Sequence, residues 1–254
     1  YTNLIQGNVI GDFDNDCSFD TGTDVHMRNI TVTANIDTNV LFTPTDNDGY
    51  YQFATNSAGT VKIASRNNFR YPLWKKGNCN DTAFVNLSIE SGIDSINFNF
   101  TPIVTCTGLT VDVALRRFRH FDPQIFYVVN YCNLGTVQAN NAYIDIKVDP
   151  ILIIDFARAT GGNTIPFTDL GNHVYRFDIG GGSIFDCNNF TVYLHEKPEA
   201  ILGQTVCLES HIYPDNVCVL PNYAGAIIEA TAECLGDSVR LQLRNSGGGM
   251  QQQK

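Results

Sequence analysis

The sequence predicts an all-β chain built as tandem β-sandwich modules, and three observations carry that prediction. Short runs alternating apolar with polar residues follow one another from NITVTANI (29–36) to SVRLQLRN (238–245). Period-two alternation is what a strand with one buried and one wet face requires. Clusters such as TDNDGY, NSAGT, NCNDT, CNLGT and DIGGGS separate the runs and supply turn residues. No stretch sustains an apolar period of 3.6; EKPEAILG offers one helical turn at most.

Taken in chain order, NITVTANI, YYQFAT, TVKIAS, AFVNLSIE and SINFNF read as strands of a first module over 1–102. Pro102, between two strand-like runs, marks its end. A second module, 103–222, holds LTVDVAL, QIFYVVNY, AYIDIKV, HVYRFDI, NFTVYLH and QTVCLESHIY, and closes in the segment bearing Pro214 and Pro221. AGAIIEATAE and SVRLQLRN open a third, truncated module over 223–254. It partly repeats the second: Asn133 and Gly135 match Asn245 and Gly247, each pair following an alternating strand.

Charge narrows the partners. The chain of 254 residues carries 16 Lys plus Arg against 26 Asp plus Glu, a net charge of -10. Such a surface repels nucleic acid and anionic membrane. No apolar run reaches the ~18 residues a bilayer span requires, so no membrane insertion is expected of this segment. The opening YTNLIQGNVIGDF lacks a basic stretch followed by an apolar one, so the expectation is that any export signal has been removed or lies upstream. The closing residues complete no recognisable element, as in a piece of a larger protein.

Eight cysteines are dispersed singly, without C-x-x-C or zinc-ligand spacing. They read as disulfides of a secreted or cell-surface protein, with Cys17, Cys79, Cys106, Cys132, Cys207 and Cys218 the expected participants. Spacing does not fix their connectivity.

The stretch GDFDNDCSFD (11–20) is the strongest chemical signal. Asp12, Asp14, Asp16 and Asp20 stand at positions one, three, five and nine of a calcium loop, where alternate carboxylates converge on one hard cation. Cys17 stands where an EF-hand has glycine, and Thr23 where it has glutamate, with Asp24 one place on. No helical pattern flanks the loop, so an EF-hand is excluded and Ca2+ in a non-helical acidic loop is the expectation. The basic and aromatic run RRFRHF, with Arg117, Phe118 and Arg119, and the sole tryptophan, Trp74, are candidate ligand contacts for a glycan or protein.

GNVIGDFDNDCSFDTGTD followed by FTPTDNDGYYQFATNSAGTVKIAS resembles the SdrD-B/Cna-B-like modules of bacterial surface proteins. Thr45, Asp46, Gly49, Tyr50 and Phe53 carry the second half of the pattern, and Gly59 precedes its closing strand. Such modules with a cysteine in the acidic loop look like those of very large Bacteroidetes-type surface proteins, which implies a bond between Cys17 and Cys79. Residues 103–222 resemble DUF11-type immunoglobulin-like repeats through LRRFRHFDPQIFYVVNYCNLGTVQ. Secreted proteins of those bacteria carry O-glycans at Asp-Ser/Thr-apolar triplets, which Thr82, Ser95 and Ser238 resemble.

The resemblances imply immunoglobulin-like or prealbumin-like sandwiches acting as stalk, filament or adhesin. Their partners would be neighbouring modules of the same or identical chains. No catalytic motif appears: no histidine pair has i, i+4 metal spacing, no G-x-S-x-G occurs, and GGGS lacks the P-loop lysine. The expectation is therefore a non-catalytic structural segment, the alternative a carbohydrate- or protein-binding module.

Overall fold

The computed structural model describes residues 3–36, 38–66, 71–79, 82–88, 92–117, 124–215, 218, 228–235 and 238–245. Every regular element among them is a strand. None is a helix long and apolar enough to cross a membrane. The chain divides into two units. The first comprises 1–106 together with Leu134–Val137, and the second 107–133 together with 138–254.

The first unit contains β1 (Asn3–Gly11), β2 (Val25–His26), β3 (Thr31–Ile36), β4 (Asn39–Pro44), β5 (Tyr50–Thr55), β6 (Gly59–Arg66), β7 (Trp74–Lys76), β8 (Thr82–Leu87), β9 (Gly92–Ser95) and β10 (Phe98–Pro102). One sheet orders β4-β3-β6-β8, and all its pairings are antiparallel. The other is organised around β1, which pairs first with β5 and β9, then with β2 and β10. Alternate residues of both sheets are buried, among them Ile5, Val9, Val32, Ala34, Ile63, Val85, Phe98 and Phe100. That is the pattern of a sandwich core.

β1 lies at the centre of its sheet because Gly7 lets another chain segment pass against it. The kink between β9 and β10 crosses there, with the Ile96 N–H donating to the Gln6 carbonyl at 2.8 Å and the Asn8 N–H to Asn97 Oδ1 at 2.9 Å. A Cβ on Gly7 would sit 1.7 Å from the Ile96 carbonyl oxygen.

The TDNDGY turn joins β4 to β5 through side chains. Asp46 Oδ1 accepts the N–H groups of Asp48 and Tyr50, each at 2.9 Å, an Asx turn. Gly49 takes φ 68° there, and a Cβ on it would meet the Val9 carbonyl at 2.4 Å. Thr45 Oγ1, buried, accepts the Ile30 N–H and donates to the Met27 carbonyl at 2.6 Å. The tyrosine of this stretch that enters the core is Tyr51, next to the Tyr50 of the motif. Tyr51 donates its hydroxyl to the Ile96 carbonyl at 2.8 Å, whereas Tyr50 reaches Gln6 and Gln52 on the surface.

The second unit contains β11 (Leu109–Arg117), β12 (Ile125–Asn133), β13 (Ala139–Val148), β14 (Leu152–Ala159), β15 (Thr164–Ile165), β16 (Phe167–Gly171), β17 (Val174–Gly182), β18 (Cys187–Glu196), β19 (Leu208–Tyr213), β20 (Ile228–Leu235) and β21 (Ser238–Asn245). Its sheets run β11-β12-β18-β14-β15 and β16-β17-β13-β19. Their inner faces meet in one core that includes Ile125, Val129, Ile144, Ile146, Leu152, Phe177, Phe190 and Leu194. β20 and β21 pair as an antiparallel hairpin.

Cross-strand partners pin the outer face of the β16-β17-β13-β19 sheet. Arg176 donates two hydrogen bonds to Asp145, each at 2.8 Å, and its guanidinium lies 3.9 Å from the Tyr143 ring centroid. Tyr143 stacks in turn on Tyr213 at 4.8 Å. Register sets Asp145 opposite Arg176 and Tyr143 opposite Tyr213, where side-chain contact is closest, and leaves Arg176 diagonal to Tyr143.

Candidate cation-binding loop

The acidic loop leaves β1 at Gly11 and enters β2 at Val25, and one buried aspartate holds each end. Asp12, with no exposed surface, anchors its N–H to the Phe100 carbonyl at 2.8 Å and turns its carboxylate inward. Its Oδ1 accepts from the Asn15 N–H at 2.5 Å, and its Oδ2 accepts from the Cys17 N–H at 3.1 Å and from Asn99 Nδ2 at 2.9 Å. To bring those amides back, Asn15 and Cys17 adopt φ of 61° and 73°. Asparagine tolerates that left-handed conformation; cysteine is a less usual occupant.

Asp24 closes the other end. Its Oδ1 accepts from the Phe13 N–H and its Oδ2 from the Asp20 N–H, both at 3.0 Å. Between the two brackets Asp14, Asp16 and Asp20 face solvent. Asp14 and Asp16 each cap a short turn, accepting the N–H groups of Asp16 and Ser18.

A disulfide fastens the loop to the chain 62 residues on, joining Cys17 to Cys79. Asn99 serves both partners: its amide donates to Asp12, and its Oδ1 accepts from the Cys79 N–H at 3.3 Å. Gly77 makes room for it, since a Cβ there would lie 2.2 Å from the Asn99 amide.

The two kinds of aspartate differ electrostatically. Burial pushes the Asp12 carboxyl up, but the donors on Asn99, Cys17 and Asn15 outweigh burial and hold it below the ordinary carboxylate value. Asp14 is raised, first by desolvation and then by the charges of Asp16 and Asp12, which outweigh its bond from the Asp16 amide. Of these two, Asp14 holds the less favoured charge.

Carboxylate oxygens of Asp12, Asp14 and Asp24 lie within 4.8 Å of one another, and so do those of Asp14, Asp16 and Asp20. With Ca–O distances of about 2.3–2.6 Å, oxygens on opposite sides of one calcium ion are about 5 Å apart, so either trio fits around an ion. Asp14 belongs to both. The oxygens of Asp12 and Asp24 already accept amide hydrogens, whereas Asp20 accepts none in the loop network described above. The exposed trio therefore offers the freer lone pairs.

Other residues singled out by sequence are placed differently. Trp74 is wholly buried, packs edge-on against Phe13 at 5.3 Å and directs its indole N–H to the Gly135 carbonyl at 3.4 Å. Its ring faces are closed to a sugar, which corrects the ligand reading. Phe118 and Arg119 lie outside the described residues, as does the side chain of Arg117, whose backbone ends β11. Thr82 opens β8 half-buried, while Ser95 and Ser238 are exposed at a strand end and a strand start.

Cys132 bonds to Cys187, a residue left out of the expected participants; register sets the two opposite each other on β12 and β18. Cys106, Cys207 and Cys218 are disulfide-bonded as well. The sequence reading also missed Asn99. It stands 87 residues from Asp12, in a run read as a strand, and no local signal ties it to the acidic loop.

No protein-family model matches the chain, and no curated protein is found similar to it. Among solved structures it is similar to the full-length major pilin SpaD of Corynebacterium diphtheriae, at 9% identity and a TM-score of 0.32, over 83% of this chain and 62% of the pilin. It is also similar to BcpA, the major pilin subunit of Bacillus cereus, at 9% identity and a TM-score of 0.31, over 97% of this chain and 83% of that one. A DUF3823 family protein of Bacteroides ovatus is similar at 14% identity and a TM-score of 0.28, over 84% of this chain and 91% of that one. The chain thus spans less than two thirds of the length of SpaD.

Proposed function

We propose that the chain is a non-catalytic structural segment of a large secreted or surface-anchored bacterial protein, working as stalk, filament or adhesin. In this reading an SdrD-B/Cna-B-like module precedes a DUF11-type repeat. The observation that carries it is covalent: no described cysteine is free, and the two bridges with assigned partners close loops of 62 and 55 residues. Persistent disulfides belong to oxidising compartments, and long closed loops limit how far a pulled chain can extend. Neighbouring modules of the same or identical chains are the natural partners.

The aspartate loop would add a cation. Asp14, Asp16 and Asp20 would hold Ca2+, with Asp12 and Asp24 shaping the loop beneath it. A bound divalent ion offsets the repulsion felt by Asp14 and stiffens the segment already clamped by Cys17. Because Asp12 and Asp24 organise the loop by hydrogen bonds, the fold does not require the ion.

Force extension of the chain between two handles tests the mechanical reading. At about 3.5 Å per extended residue, reduction should release about 220 Å of hidden length from the Cys17–Cys79 loop and about 190 Å from the Cys132–Cys187 loop. Equal contour lengths before and after reduction would count against it. For the ion, calcium should raise the thermal midpoint of the first unit and a chelator should reverse the gain. Asp14→Ala plus Asp16→Ala should abolish the response; a midpoint indifferent to calcium would remove the ion from the proposal.

A further inference from the structure

The outer face of the β4-β3-β6-β8 sheet carries a basic patch on this acidic chain. Lys62 and Arg66 stand two and six places after Thr60 on β6, with the small Ala64 between them. Register sets Asn35 beside Lys62 and Thr33 beside Ala64. Short side chains in the middle and long cations at either end leave a hollow of about 490 Å³, also lined by Lys76. Among the described residues no carboxylate lines it, and neither Lys62 nor Arg66 forms an ion pair.

Two aromatic rings flank the hollow. Phe42 lies opposite Thr33 on β4, with the Arg66 guanidinium 5.2 Å from its centroid. Phe84 lies opposite Lys62 on β8. They are 57% and 69% exposed, while the aromatic side chains on the inner side of this unit are buried.

We propose that this hollow binds a carboxylate-bearing sugar residue of an acidic polysaccharide. Lys62 and Arg66, at the two ends of the hollow, supply the ammonium and guanidinium groups that meet the carboxylate. Asn35 offers an amide to hydroxyl groups, and Thr33, whose hydroxyl donates to the Ala64 carbonyl, retains acceptor capacity. Phe42 and Phe84 meet the apolar C–H surface of the sugar ring. A volume of this size accommodates one or two pyranose units. The anion is recognised locally although the chain as a whole is negative, because charges beyond about 10 Å are screened at ordinary salt.

Titration of the full chain with digalacturonic acid, followed by NMR shift changes and calorimetry, tests the site. The acid should bind saturably and shift the amides of Thr33, Asn35 and Ala64, and its neutral dimethyl ester should bind about tenfold more weakly. Lys62→Ala plus Arg66→Ala should weaken binding about tenfold, and Phe84→Ala about threefold, with the urea midpoint of Trp74 fluorescence unchanged. Raising ionic strength should weaken the acid and leave the ester unaffected. Absence of saturable binding, equal affinity for acid and ester, shifts confined to other faces, or equally tight binding of a tetraglutamate peptide would each overturn the proposal.

Discussion

Replacing Asp12 with alanine removes the acceptor on which three donors converge, the N–H groups of Asn15 and Cys17 and the amide of Asn99. Hydrogen bonds to a charged acceptor contribute roughly 1.5–3 kcal/mol each, giving an upper bound of about 5–9 kcal/mol. Asn15 and Cys17 lie in the exposed part of the loop, where water can replace the carboxylate. The Asn99 amide, buried, keeps only the long bond to Asn15 Oδ1 at 3.4 Å. A loss of about 3–4 kcal/mol is therefore expected. Asp12→Asn should cost less, about 2 kcal/mol, because its carbonyl can serve the two donors now on Oδ2 while its NH2 opposes the Asn15 N–H. The assay is urea unfolding read by Trp74 fluorescence, since the sole tryptophan is buried in the first unit. The pH dependence supplies a second reading. A carboxyl whose folded value lies below the ordinary 3.8 contributes stability that is complete above 3.8 and is lost as pH falls through the folded value. That acid-side loss should shrink in Asp12→Asn. An Asp12→Ala midpoint matching the parent within about 1 kcal/mol would refute the bracket role, since that is the scale of an ordinary surface change.

Cys17→Ser frees a 62-residue loop and should lower first-unit stability by about 4 kcal/mol on the chain-entropy estimate, measured as the Trp74 urea midpoint without reductant. On the alkaline side, burial holds Tyr51 well above the ordinary 10.0, and burial together with the Asp149 charge pushes Tyr127 to about 12. The stability each contributes is complete below pH 10 and is lost as pH rises toward the folded value, because only the unfolded chain then ionises. Tyr51→Phe should reduce that alkaline loss in the Trp74 transition while sacrificing the bond to the Ile96 carbonyl. Gly7→Ala should prevent the first unit from folding, since its Cβ would overlap a backbone oxygen that cannot move without breaking the β9 pairing; a cooperative Trp74 transition at the parental midpoint would contradict this.

What the sequence made legible follows from which signal each element depends on. β12, β13 and β18 alternate cleanly because one face of each meets a core, and their runs were read directly. β1 was not among those runs, although it is the hub of its sheet. Its buried positions include Asn3, Gly7 and Gly11, chosen for close approach and hydrogen bonding, so the apolar alternation is missing. β14 escaped for another reason: the irregularity between Ile154 and Phe156 shifts the register and puts consecutive apolar residues together. β4 is an edge strand with little burial on either face, and so has no pattern to read. The acidic loop shows the same division. Its aspartate spacing was plain, but spacing treats all five carboxylates alike. Only the fold separates Asp12 and Asp24, each accepting two or more donors, from Asp14, which accepts a single amide. The separation depends on Asn99, delivered to Asp12 by the parallel pairing of β1 with β10. A local motif therefore announces that a cation can be attracted, while a contact across 87 residues decides which oxygens remain to hold it.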